Sequence, residues 1–188
     1  MKKFIFCFDG TCNEPSDSMD YAVDLSISNI LKLHAYFGGS LTNSPHNDEY
    51  GQHSFYYSGV GTYGNWLQKT FNSLFAPAFS DIKSIITKAK RDLEKHYQEG
   101  DEIFIFGFSR GAAIARIFAS QIKHKVKFLG VFDTVASIGS PDLSMETRPA
   151  SDVVFENGTL AGNIEKAVHV VALDEKRVAF QPILFNRD

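Results

Sequence analysis

A serine stands between two glycines in Gly107-Phe108-Ser109-Arg110-Gly111. The spacing is Gly-x-Ser-x-Gly, which on a strand-to-helix turn holds the serine on a strained backbone with its hydroxyl exposed. The chemistry available to such a serine is nucleophilic attack on an acyl carbon. A hydroxyl is a poor nucleophile unless a neighbouring base takes its proton. Donors must also face the oxyanion that develops on attack, and an acid must orient the base and stabilise its protonated form. One donor is the backbone amide of Arg110, directly after the serine. A second is expected from a loop after an early strand, where Gly10 or Thr11 supplies one, and glycine permits the close backbone approach required. Two acids follow the serine at the ends of apolar runs, Asp133 and Asp174. Asp133, directly after the next strand, is the preferred acid and Asp174 the alternative.

The base is harder to place. After Asp133 the only histidine in the sequence is His169. It falls near the start of an apolar run from Ala167 to Leu173, at the far end of the sheet from Ser109, and reads as a core or strand-edge histidine. His124 lies in a polar helix-to-strand connection at that same far edge. His34, His46, His53 and His96 precede the serine and fit surface positions. Arg110 and Arg116 could hold an anionic substrate group, since guanidinium pairs well with phosphate. Arg116 fits a salt bridge on its own helix equally well.

These residues need a scaffold, and the hydrophobic pattern describes one. Phe4 to Phe8 is apolar without alternation, as in a strand buried on both faces. Ile27, Ile30, Leu31 and Ala35 have helical spacing, with Ser26 or Asp24 as N-cap. Gly38 to His53 is polar and rich in turn-forming residues. Ser54 to Ser58 reads as a second strand, ending at Gly59-Val60-Gly61-Thr62. The aromatic stretch from Tyr63 to Phe79 fits a lid over an acyl pocket or a helix packed on the sheet. Ile82, Ile85, Ile86, Ala89, Leu93 and Tyr97 form a helical stripe with Ser80 as cap and Gly100 closing it. The elbow strand Ile103 to Phe106 follows, then a helix to about Ile122, a strand Val126 to Phe132, a polar loop Ser137 to Gly162, and the strand from Ala167. Strands alternating with helices, each strand nearly continuously apolar, predict an α/β fold with a mostly parallel sheet covered by helices on both faces. Ligands in such sheets bind outside the carboxyl ends of the strands, where Asp9-Gly10-Thr11, Ser109-Arg110, Asp133-Thr134 and Asp174-Glu175 all fall.

Composition narrows the function classes. The 188 residues suit a single domain, 1–188, and 44% hydrophobic with 22% charged residues is the balance of an ordinary globular chain. A formal net charge of -3 carries no nucleic-acid footprint. Cys7 sits in the first strand and reads as a small buried hydrophobe. Cys12 lies in the loop after it, and two cysteines alone do not make a zinc site. No metal or cofactor is expected. The apolar run after Lys2-Lys3 is too short for a secretory segment, and no stretch is long enough to span a bilayer. Cytoplasmic synthesis is expected, with export by a route that reads no signal peptide left open.

Five blocks together carry a more specific signal: Phe8-Asp9-Gly10-Thr11-x-Asn13, Tyr57-Ser58-Gly59-Val60-Gly61-Thr62, Gly107-Phe108-Ser109-Arg110-Gly111-Ala112, Gly130-Val131-Phe132-Asp133-Thr134-Val135 and His169-x-x-Ala172-Leu173-Asp174-Glu175-x-Arg177. In this order they resemble the bacterial α/β-hydrolase domain family that includes phospholipase effectors delivered by type VI secretion. The resemblance implies an α/β-hydrolase-like fold, Ser109 as nucleophile, Asp133 as acid, and an ester or phospholipid substrate met at a membrane surface. It also implies that the catalytic histidine lies in a Gly-x-His-x-Asp-x-Gly-Gly block beyond Asp188. The expectation is therefore a domain incomplete at its C-terminus, its base supplied by a missing segment or a partner chain. Two alternatives stand beside this one. The chain could be a catalytically inactive binding module or one part of a split enzyme. Phosphoryl transfer would need an aspartate at position 7 of the Asp-x-Asp-Gly-Thr pattern, and that position is Cys7.

Overall fold

The computed structural model describes residues 1–10, 27–40, 51–59, 79–135, 160–174 and 184–185. Thr11, Cys12, His46, Glu175, most of the aromatic stretch from Tyr63 and the loop from Ser137 to Thr159 lie outside the described residues, as do the expected caps Asp24 and Ser26. The elements are β1 (Lys3–Phe8), α1 (Asn29–Tyr36), β2 (Gln52–Tyr57), α2 (Phe79–His96), β3 (Glu102–Phe108), α3 (Arg110–Gln121), β4 (Val126–Phe132) and β5 (Ala167–Val170). The strands form one sheet in the order β2-β1-β3-β4-β5, with every neighbouring pair parallel. This is the α/β architecture that the unalternating apolar runs predict.

Alternation along β1 divides the core in two. Phe4, Phe6 and Phe8 point to the face covered by α2 and α3, where they join Phe55, Tyr57, Ile86, Leu93 and Phe118. Ile5 and Cys7 point to the opposite face and pack with Ile30 of α1. The Phe6 ring lies 4.9 Å from Phe118 and 5.1 Å from Phe55. Burial of a phenylalanine side chain is worth about 1.5–3 kcal/mol, so β1 is the strand on which both layers depend. β1 is also where the winding reverses: the chain moves from it to β2 on one side, then crosses back to β3 on the other. That strand order makes the carboxyl ends of β1 and β3 the topological switch point, where open α/β sheets place their ligands.

Several element boundaries differ from the sequence reading, for local reasons. α1 is capped by Ser28, whose Oγ accepts from the Leu31 amide at 3.0 Å. α2 begins at Phe79, so Ser80 lies within its first turn. β5 ends at Val170, three residues short of Leu173: among the described residues its one strand neighbour is β4, which ends at Phe132, paired with Val170. His34 and His53, expected at the surface, are buried. His34 sits on the inner face of α1, where Nε2 donates to the Ser40 carbonyl (3.1 Å) and Nδ1 therefore accepts from Ser54 Oγ (2.8 Å). Burial holds its pKa below the ordinary histidine range. His53 stacks on Phe4 at 5.1 Å.

Candidate active site

β3 leads directly into α3 through Ser109, and the turn between them is tight in a measurable way. Ser109 has φ 55° and ψ -122°, a backbone conformation that a non-glycine residue adopts only when its surroundings impose it. Four backbone hydrogen bonds hold it there. The Ser109 amide donates to the Phe132 carbonyl (2.9 Å), and the Ser109 carbonyl accepts from Ala112 (3.1 Å), Ala113 (3.4 Å) and Val135 (3.3 Å). The flanking glycines are dictated by packing. A Cβ on Gly111 would lie 2.3 Å from the Asp9 carbonyl oxygen and 2.4 Å from that of Phe8, so α3 starts in backbone contact with the end of β1. A Cβ on Gly107 would lie 2.6 Å from Ala112 Cα. Although Ser109 occupies the N-cap position of α3, its side chain makes no capping hydrogen bond.

The end of β1 meets this turn from one side. Asp9 is 1% exposed, and its carboxylate accepts from the Gly10 amide (2.6 Å), from Tyr56 Oη (2.7 Å) and from Ser28 Oγ. One carboxylate thus ties together the first loop, the end of β2 and the cap of α1. In this arrangement the Gly10 amide is directed at Asp9. Of the two early-loop donors expected for an oxyanion, Gly10 is engaged and Thr11 lies outside the described residues. Arg110 opens α3 with its side chain buried, and Arg116, one layer deeper, has its guanidinium 5.1 Å from the centre of the Phe185 ring.

The end of β4 meets the turn from the other side. Asp133 also has a left-handed backbone, at φ 43°. Its amide donates to the Val170 carbonyl (2.9 Å) and its Oδ1 accepts from the Ala172 amide (2.6 Å). Both bonds require β5 to run beside β4, so the position of Asp133 depends on the edge strand. Asp174, the alternative acid, is exposed. His169 belongs to this neighbourhood after all. The short β5 places it one residue from the strand's carboxyl end, and its Nε2 accepts from the Thr134 amide at 3.2 Å. An amide can only donate, so neutral His169 carries its proton on Nδ1. The lone pair of Nε2 is engaged and Nδ1 has none, so His169 in this geometry cannot take a proton from Ser109. Burial and the nearby Arg116 charge push its pKa below the ordinary range, against a smaller opposite pull from Asp133. His124 packs on Tyr97 at 4.1 Å, at the amino-terminal edge of the sheet. No described histidine both faces Ser109 and has a free lone pair.

Cys7 is a free cysteine buried against α1, and burial pushes its thiol well above its ordinary range. It cannot act at the strand end as an aspartyl nucleophile would. Among the described residues no cluster of His, Cys, Asp and Glu is arranged to hold a metal ion.

A parallel sheet flanked by helices, with a strained serine on the turn between β3 and α3, defines the class: an α/β protein with a strand-to-helix elbow at its switch point. The chain matches the catalytic domain model of the Tle1-like phospholipase effectors of type VI secretion over residues 2–124 and 119–188, and it belongs to that family. It is 26% identical to the uncharacterized protein YEL023C of Saccharomyces cerevisiae, over 98% of this chain and 33% of that one. The crystal structure of an uncharacterized protein from Pseudomonas aeruginosa shares the fold, with a TM-score of 0.55 and 20% identity, over 99% of this chain and 37% of that one. The chain therefore spans about a third of the length of these relatives.

Proposed function

We propose that this domain is a serine hydrolase of carboxylic esters, of lipase or phospholipase type, with Ser109 as nucleophile. The observation that carries the reading is the Ser109 backbone: a strained φ, held at the switch point by four backbone hydrogen bonds, with the hydroxyl unused as a cap. A turn that served only to connect β3 to α3 would gain from a glycine at this position. In the proposed reaction Ser109 Oγ attacks the ester carbonyl and the amides of Arg110 and the early loop receive the oxyanion, the loop donor being Thr11 or a Gly10 released from Asp9. Asp133 orients the base. That base is a histidine that none of the described positions supplies.

Membership of a phospholipase effector family favours a phospholipid substrate met at a membrane surface, and delivery by a secretion route that reads no signal peptide. No described helix is long and apolar enough to cross a membrane. The test is covalent labelling by a fluorophosphonate, measured beside fatty-acid release from phosphatidylcholine vesicles. Labelling and release by the wild type, both abolished in Ser109→Ala, is the expected result. Absence of both in the natural full-length protein would sink the hydrolase reading. It would favour a second reading, an inactive lipid- or partner-binding module, which the lack of a competent described histidine supports.

A further inference from the structure

The turn after β4 uses three consecutive backbone amides, and each has a different kind of partner. Asp133 donates to the Val170 carbonyl of β5, Thr134 to the ring of His169, and Val135 to the carbonyl of Ser109 itself. The first is a strand contact and the third belongs to the elbow. The middle one alone depends on a side chain. Together with the bond from the Ser109 amide to the Phe132 carbonyl, the Val135 bond closes a two-point clamp between the elbow and this turn. Anything that moves Thr134 therefore moves both Asp133 and the backbone of Ser109.

We propose that His169 is a positioning residue, whose Nε2 lone pair fixes the Asp133–Val135 turn and thereby sets the placement of Asp133 relative to Ser109. This rests on the serine hydrolase reading of the same site. The half-buried ring has two contacts that hold it in place. It packs against Phe185 at 5.2 Å, whose ring is in turn met by the Arg116 guanidinium, and its Nε2 accepts from the Thr134 amide. Its Nδ1 is buried without a hydrogen-bond partner among the described residues. With Nε2 accepting from Thr134, the ring proton is on Nδ1. Protonation would turn Nε2 into a donor facing the Thr134 N–H, and the turn would lose its middle anchor. The charged groups facing the ring are Asp133, which favours the protonated form, and Arg116, which opposes it together with burial.

The test has two arms on the natural full-length protein. Nitrogen-15 NMR of the histidine rings reports the tautomer directly: neutral His169 is expected with its proton on Nδ1, and finding it on Nε2 overturns the proposal. Fluorophosphonate labelling of Ser109 is then timed in two variants. His169→Gln retains an oxygen acceptor for the Thr134 amide and is expected to label within about threefold of wild type. His169→Leu lacks one and is expected to label at least tenfold more slowly. Equal rates in both variants, whether fast or slow, overturn the positioning role. If the wild type itself fails to label, the hydrolase reading falls instead, and the tautomer still decides whether His169 holds the turn.

Discussion

Gly111→Ala separates two opposing effects whose sizes can be compared. In an ordinary helix position alanine is favoured over glycine by about 1 kcal/mol. At Gly111 the new methyl would lie 2.3 Å from the Asp9 carbonyl oxygen, 2.4 Å from that of Phe8 and 2.7 Å from the Asp9 carbonyl carbon. All three are backbone atoms in or next to a strand held by neighbours on both sides, so no side-chain rotation can relieve the clash. The start of α3 must withdraw from β1 by about 1 Å, opening the packing of Ala112, Ala113 and Phe118 on the sheet. Overpacking of this kind destabilises by about 1–3 kcal/mol and occasionally more, and its rigid partners put Gly111 at the upper end. After the propensity gain, a net loss of about 2 kcal/mol is expected. With a urea dependence of about 2 kcal/mol per molar, that lowers the unfolding midpoint by about 1 M. The control is Gly162→Ala, where the added methyl meets nothing within 4 Å among the described residues and φ is ordinary. Its midpoint should be unchanged or slightly raised, by the equivalent of up to about 1 kcal/mol, through the stiffer unfolded chain. Urea unfolding of both variants by circular dichroism decides the matter. If Gly111→Ala unfolds within about 0.5 kcal/mol of wild type, the close approach of α3 to β1 is wrong, and the geometric case for the elbow weakens with it.

Two further outcomes follow from the same geometry. Because Ser109 is held at φ 55°, Ser109→Gly should be more stable than Ser109→Ala by about 1–2 kcal/mol in thermal or urea melts, although neither variant can be labelled at position 109; equal stability would mean that the turn is unstrained. Stability should also fall on acidification below the ordinary histidine value of 6.5, since buried His34 and half-buried His169 both have depressed pKa values in the folded state. The unfolded chain takes up these protons first, so stability rises with pH across the window between the folded and unfolded values, by at most about 1.4 kcal/mol per pH unit for each proton. His34→Gln should flatten part of that slope in pH-resolved urea titrations, and an unchanged slope would exclude His34 from it.

Local patterning made the scaffold legible in the sequence. Nearly continuous apolar runs at Phe4–Phe8, Ile103–Phe106 and Phe128–Phe132 are the pattern of strands covered on both faces, and a buried parallel sheet requires helices between its strands. Gly107 and Gly111 marked the elbow because a close backbone approach excludes every larger side chain, a constraint written directly in residue type. The same logic identified Asp9 and Asp133 as strand-end carboxylates but not their partners. Tyr56 and Ser28 reach Asp9 from β2 and from the cap of α1, and nothing in local spacing announces such a meeting.

His169 shows most clearly where sequence reasoning stops. The apolar run to Leu173 suggested a longer strand and so placed the histidine at the remote end of the sheet. The fold ends β5 at Val170, where β4 also turns away, and the ring therefore reaches the Thr134 amide. Strand length at a sheet edge is set by how far its one neighbour extends, which is a property of the pairing and not of the strand's own residues. By itself the sequence determined the order of the elements, the face each strand would bury, and the serine between two obligatory glycines. Only the tertiary structure showed that Asp133 is bonded across to Val170 and Ala172 and that the His169 ring meets the Thr134 amide, because these contacts join backbone brought together from strands far apart in the chain.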